Sequence, residues 1–126
     1  MHRGTTRRQF VQAVLRGIAH RVDDIFQQLQ AHDFGLTELR CDGGPTRNPY
    51  LMQYQSNLLG VPVKVSRTED LAAWGVARLA MLANGLELSN IMTFAHEYHP
   101  QRNADWRAQQ RTRWQHAIHL AETAWP

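Results

Sequence analysis

Residues 41–55 read CDGGPTRNPYLMQYQ, and this stretch decides how the surrounding chain folds. The apolar run before it, residues 36–41, has the length of a β-strand. After it, the apolar residues at positions 51, 52, 58 and 59 share one face of a helix. Pro49 suits the first helical position, and Thr46 or Asn48 can cap the helix. The stretch therefore predicts a strand, a tight glycine turn and the beginning of a helix.

The two glycines of this turn, Gly43 and Gly44, form a candidate ligand site. Glycine permits a positive φ angle and lets a ligand approach the backbone closely. The free N–H groups at the start of the following helix favour a phosphate or another polar nucleotide group. A plain structural turn is the alternative, and on the residues alone it is favoured because strand-to-helix turns often contain glycine.

Apolar periodicity predicts the other elements. Thr6 and Gln9 have the spacing of a capping box, and the apolar stripe that follows predicts a helix over residues 6–31. The second helix covers residues 49–59 and ends at Gly60, and a short strand with an edge-type proline follows at residues 61–65. Glu69 and Asp70 favour the start of a third helix, because acidic side chains stabilise a helix N-terminus.

The third predicted helix contains LAAWGVARLAMLANG, residues 71–85. Its small residues indicate close approach to another layer, and Leu71, Leu79 and Leu82 are expected in the core. Residues 88–95 form a weaker helix or turn, and a last helix covers residues 102–124, with Trp114, Ala117, Ile118 and Ala121 on one face. Strands near residues 38–42 and 61–65 with intervening helices predict an α/β fold with parallel crossovers. Two strands alone would leave unpaired edges, so residues 1–126 are interpreted as one incomplete domain.

Composition limits the function. Lys and Arg exceed Asp and Glu by 14 − 11 = 3, and the arginines are scattered, which disfavours a nucleic-acid-binding protein. The only cysteine, Cys41, lies in a predicted buried strand and cannot form an internal disulfide, which fits a reducing cytoplasm. No stretch reaches 18 apolar residues and no export signal opens the sequence, so no membrane association is predicted.

The block DGGPTRNPYLMQYQSNLLGVPV, Asp42 to Val63, resembles the C-terminal nucleotide-binding segment of the FGGY carbohydrate kinases. Residues 3–26 and 72–85 resemble two further helices of that family in the same order, so the resemblance covers essentially the whole chain. Three positions depart from the family pattern: Arg16 replaces an acidic or amide residue, and Ala72 and Trp74 replace a threonine and a leucine. These departures leave the sugar or polyol unspecified.

The resemblance implies a partial ribonuclease-H-like, actin-like ATPase domain with few strands and a C-terminal helical tail. It implies the nucleotide-binding part of an ATP-dependent sugar or polyol kinase, in which Gly44 and Asn48 contact the adenine nucleotide, ATP or ADP. Gly43 shapes the loop, and Asp42 orders the turn. Mg²⁺, the catalytic aspartate and the sugar pocket are expected outside these residues, so the chain alone is expected to be inactive. The alternative is a non-catalytic remnant or binding module, and a homo-oligomer is left open.

Other chemistry is weakly indicated. The pairs His96 with His99 and His116 with His119 have the spacing of one helix face, but nothing nominates the third ligand that a zinc site needs, and the histidines are interpreted as surface residues. No phosphate-binding loop of the GxxxxGK[ST] type occurs. The aspartates at positions 23, 24, 33 and 70 lack a recognisable catalytic context, and the tryptophans are expected to serve packing.

Overall fold

The computed structural model describes residues 4–68, 70–86 and 92–124. Its elements, in chain order, are α1 (Arg7–Ala31), β1 (Leu39–Cys41), a 3-10 turn (Gly44–Arg47), α2 (Pro49–Leu59), β2 (Val63–Ser66), α3 (Leu71–Ala83), β3 (Phe94–Tyr98) and α4 (Ala104–Ala124). The predicted capping box is present at the start of α1, where the side chain of Thr6 accepts a hydrogen bond from the backbone of Gln9. The α/β class and all four long helices are thus confirmed.

Within the described ranges, the sheet has three strands in the order β1-β2-β3. Strands β1 and β2 are parallel and are joined through α2, as predicted, with Leu39 opposite Val63. Strand β3 pairs antiparallel with β2. It was missed, since residues 88–95 were expected to form a helix or turn. Residues 94 and 95 lie in β3, and residues 88–91 lie outside the described part. Most side chains of β3 are exposed, so the strand is held by pairing with β2 and carries little apolar alternation.

The hydrophobic core is centred on α2. Eight of its eleven residues are buried, and the helix contacts α1, α4 and the sheet. Leu51 and Leu58 are among the largest fully buried side chains, with Phe26 of α1 and Val63 of β2 in the same cluster. The wide apolar run of residues 51–59 is therefore explained by contacts on several sides of the helix.

The expected burial of α3 is wrong. Among the described residues of α3 and α4, none is buried, and Leu79 and Leu82 are 68% and 47% exposed. Cys41 is half-buried instead of buried. Periodicity identifies which face of a helix is apolar, but it does not say whether another element covers that face. In the described ranges, no helix is long and apolar enough to cross a membrane.

Candidate functional site

The turn after β1 adopts a backbone that requires glycine at its first position. Gly43 has φ 87° and ψ 179°, a conformation that residues with a Cβ rarely adopt. The carbonyl oxygen of Gly43 accepts hydrogen bonds from the backbone N and the Oγ1 of Thr46, at 3.1 and 2.7 Å. The turn is therefore closed by its own hydrogen bonds.

Gly43 and Gly44 line a cleft of about 290 Å³ at the carboxyl ends of β1 and β2. A Cβ added to Gly44 would meet no atom of the described residues within 4 Å, so the space over its backbone is open. Arg47 and Arg67 also line the cleft, with His96 of β3, and none of the described lining residues is acidic. The carboxyl ends of parallel strands are where α/β proteins bind ligands, and here the lining suits a polar anion.

Asn48 lies on the other side of the turn. Its Oδ1 accepts a hydrogen bond from the backbone N of Leu51 at 3.2 Å, so it is the N-cap of α2, and Pro49 takes the first helical position. Asn48 lines a separate hollow beside α1, with Val11 and Leu15 among its walls. The structure therefore brings Gly43 and Gly44 together in one cleft and places Asn48 outside it. A ligand that contacts all three residues must span the turn.

Asp42 orders the turn through its carboxylate. Its Oδ2 accepts a hydrogen bond from the backbone N of Leu71 at 2.8 Å, which ties the turn to the start of α3. Asp70 caps α3 by accepting from the backbone N of Ala73. Glu69, predicted to share that role, lies outside the described residues. The starts of α2 and α3 are therefore each capped by a side chain that precedes them, and Asp42 ties the start of α3 to the glycine turn.

Asp23 and Asp24 have structural partners instead of a catalytic setting. Asp23 is 2% exposed and forms two 2.8 Å hydrogen bonds with the guanidinium of Arg111. Asp24 accepts a hydrogen bond from the indole Nε1 of Trp114 at 3.0 Å. The Trp114 ring also stacks on His20 and so serves packing as expected, whereas Trp74 is 41% exposed. Sequence reasoning missed the pairing of Asp23 with Arg111, because the two residues are 88 positions apart and no local pattern connects them.

The expectation that all histidines lie on the surface is wrong for His20. This residue of α1 is 6% exposed, stacks on the ring of Trp114 and lies 3.3 Å from the hydroxyl of Tyr54 through its Nε2. Burial lowers the pKa of His20. Within the described ranges, no group of three or more His, Cys, Asp or Glu residues could hold a metal ion.

The geometry defines an α/β unit with an open glycine turn at the carboxyl ends of its parallel strands. Residues 1–84 match the sequence model of the FGGY family of carbohydrate kinases, C-terminal domain. The chain belongs to this family. It is 36% identical to glycerol kinase 1 of Thermotoga maritima, over 94% of this chain and 25% of that protein. It is 38% identical to the glycerol kinase of Dechloromonas aromatica, with the same coverage of both chains.

Solved structures agree with this assignment. Plasmodium falciparum glycerol kinase, crystallised with ADP, superposes with a TM-score of 0.81 at 29% identity, covering 95% of this chain and 25% of that one. A xyloylose (xylulose) kinase from Brucella ovis gives a TM-score of 0.78 at 26% identity and covers 100% of this chain and 27% of that one. The predicted fold, part of an actin-like ATPase domain, is confirmed. The chain spans about a quarter of the length of the curated relatives it matches.

Proposed function

We propose that this chain supplies the nucleotide-binding part of an ATP-dependent kinase that phosphorylates an alcohol group of a polyol such as glycerol or of a sugar. The observation that carries the proposal is the cleft over Gly44, where an open backbone lies beside Arg47 and Arg67. The family membership supports phosphoryl transfer, and the similar structure with ADP supports an adenine nucleotide as ligand. The lone Cys41 supports a cytoplasmic location.

In this proposal the nucleotide spans the glycine turn. The phosphates lie against the backbone of Gly44, where the guanidinium of Arg67 compensates negative charge. The base lies toward Asn48, beside the apolar walls formed by Val11 and Leu15. The Oδ1 of Asn48 is used as the helix cap, whereas its Nδ2 forms no hydrogen bond in the described part of the chain and is available as a donor to the base.

Asp42, Asp23 and Asp24 do not fit a magnesium site or a catalytic base. Asp42 is engaged with the backbone N of Leu71, and Asp23 and Asp24 are engaged with Arg111 and Trp114. We therefore assign Mg²⁺ binding and deprotonation of the acceptor hydroxyl to the part of the relatives' length that this chain does not span. The same observation favours a second candidate, a nucleotide-binding module that performs no chemistry by itself.

Nucleotide binding is tested by titrating the chain with ATP while backbone amide resonances are followed. We expect Gly43, Gly44 and Asn48 to shift together. The matched variant is Asn48→Ser, because serine retains the helix cap and lacks the amide donor. It should weaken ATP binding by about tenfold or less, the range of one neutral hydrogen bond. If the amide resonances of these residues do not shift while those of a distant patch do, the nucleotide site is elsewhere.

Catalysis is tested with a coupled ADP-release assay on the purified chain, with glycerol and xylulose as acceptors. We expect no acceptor-dependent turnover above background, because loss of a general base alone costs about 10² to 10⁴ in rate. Positioning groups contribute roughly a further 7 to 11 kcal/mol when they are present. Acceptor-dependent turnover of about one per second, at the lower end of ordinary enzyme rates, would mean that these 126 residues contain a base and that the chain is itself a kinase.

A further inference from the structure

A second cleft, of about 360 Å³, lies between α1, α2 and α4. It is lined by three arginines and three aromatic residues, Arg16, Arg102, Arg113, Tyr50, Tyr54 and Trp106, together with amide side chains. Among the described residues that line it, none is acidic. The cleft shares no lining residue with the one over Gly43 and Gly44.

Its arginines have no acidic partner among the described residues. In the described part of the chain, none of the three forms an ion pair, whereas Arg111 in the same helix as Arg113 is neutralised by Asp23. The Nε of Arg16 donates to the hydroxyl of Tyr50 at 2.9 Å, and its guanidinium lies 5.4 Å from the centre of the Tyr54 ring. Hydrogen bonding and stacking thus position this guanidinium without cancelling its charge.

The walls of the cleft add no negative charge. Tyr54 is 7% exposed, and its hydroxyl lies 3.3 Å from both the Nε2 of His20 and the Oε1 of Gln110. Burial raises the pKa of Tyr54, so the hydroxyl stays neutral. The guanidinium of Arg102 lies over the Trp106 ring, 5.8 Å from its centre, so a second positive charge of the cleft rests against an aromatic side chain. The cleft therefore combines three positive charges with aromatic walls that carry no negative charge.

We propose that this cleft binds a phosphate dianion, either free or as the head of a phosphorylated small molecule. Guanidinium groups match the geometry of phosphate oxygens and stay charged at every physiological pH. The volume of the cleft falls within the range of small-ligand sites, roughly 300 to 1,000 Å³. Arg16 is also one of the positions at which this sequence departs from the pattern of the family it resembles, so its positive charge is not part of that pattern.

The test is a titration of the full 126-residue chain with inorganic phosphate and, separately, with phenyl phosphate, at constant ionic strength. The readout is the indole N–H resonance of Trp106. We expect this resonance to shift, and we expect Arg113→Gln and Arg16→Gln each to weaken binding by about tenfold, the effect of one charge-assisted hydrogen bond. Both side chains are exposed and form no ion pair in the described ranges, so the variants should fold, which circular dichroism checks.

The charge-matched control is Arg21→Gln. Arg21 belongs to α1, its side chain is 72% exposed, and it pairs with Asp24, away from the cleft. Tighter binding of phenyl phosphate than of phosphate would support a phosphorylated molecule that uses the aromatic faces, and equal binding would support free phosphate. The proposal is overturned if Trp106 does not respond, if the shifts are confined to residues 43–48, or if Arg21→Gln weakens binding as much as Arg113→Gln.

Discussion

The ion pair between Asp23 and Arg111 tests how the last helix is held against the rest of the fold. The Asp23 side chain is 3% exposed, and both of its oxygens accept hydrogen bonds from Arg111 at 2.8 Å. The Nη2 of Arg111 also donates to the carbonyl oxygen of Leu58 at 3.1 Å. Since none of the described residues of α4 is buried, this guanidinium is a main attachment of α4 to α1 and α2.

Removing one residue of the pair leaves the charge of the other buried without an opposite charge beside it. Breaking a buried pair in this way costs roughly 3 to 5 kcal/mol, and the low end applies because Arg111 is partly accessible to water. We therefore expect Arg111→Met to lower the free energy of unfolding by about 3 kcal/mol, a large share of the roughly 5 to 15 kcal/mol of a typical domain. Replacing both partners, with Asp23→Leu and Arg111→Met, should restore stability to within about 1 kcal/mol of the original protein.

The assay is urea unfolding followed by circular dichroism, with both single variants and the double variant forming a cycle. Arg21→Gln is the control, because its pair with Asp24 is largely exposed and should contribute less than about 1 kcal/mol. If Arg111→Met costs no more than Arg21→Gln, the buried pair does not hold α4. If the double variant costs the sum of the two single variants, the two residues act independently and the reasoning fails.

Two further predictions concern burial. Because burial lowers the pKa of His20, the folded state binds fewer protons than the unfolded state, and the free energy of unfolding should fall as the pH drops below the ordinary value of 6.5. His20→Phe keeps a ring against Trp114 and should make stability depend less on pH below 6.5. Thermal unfolding at several pH values measures this. An unchanged pH dependence in the variant would show that His20 does not cause it. Leu79→Lys should change stability by less than about 0.5 kcal/mol because the side chain is largely exposed, while Leu58→Ala should cost about 2 to 5 kcal/mol in urea unfolding. If Leu79→Lys and Leu58→Ala lower the free energy of unfolding equally, the face of α3 that carries Leu79 is covered by another part of the protein.

The elements that sequence reasoning placed correctly are those with local signals. Thr6 and Gln9 form their capping box within one turn, and Asn48 and Pro49 begin α2 as their positions require. Gly60 ends α2 with φ 76°, a left-handed conformation that glycine adopts without strain. Each of these signals acts between residues at most four apart, so the sequence displays them directly.

The features that sequence reasoning missed depend on residues far apart in the chain. Strand β3 exists through its pairing with β2, and its own pattern of exposure is weak. His20 is buried because Trp114 and Tyr54 close over it from other helices. In the candidate site, which stays a prediction, local signals place Gly43 and Gly44 in one turn, whereas the direction in which Asn48 faces depends on how α1 packs beside α2.

Asn48 has a structural role that decides how any loss of binding is interpreted. Its cap holds the first turn of α2, which contains Leu51, 2% exposed in the centre of the core. Asn48→Ala would remove the cap at a cost of about 1 kcal/mol and would loosen the turn that carries Gly43 and Gly44. Weaker ATP binding in that variant would follow even if the amide never contacted the nucleotide. Only Asn48→Ser separates the two roles, because the cap is retained and any remaining loss of affinity belongs to the amide donor.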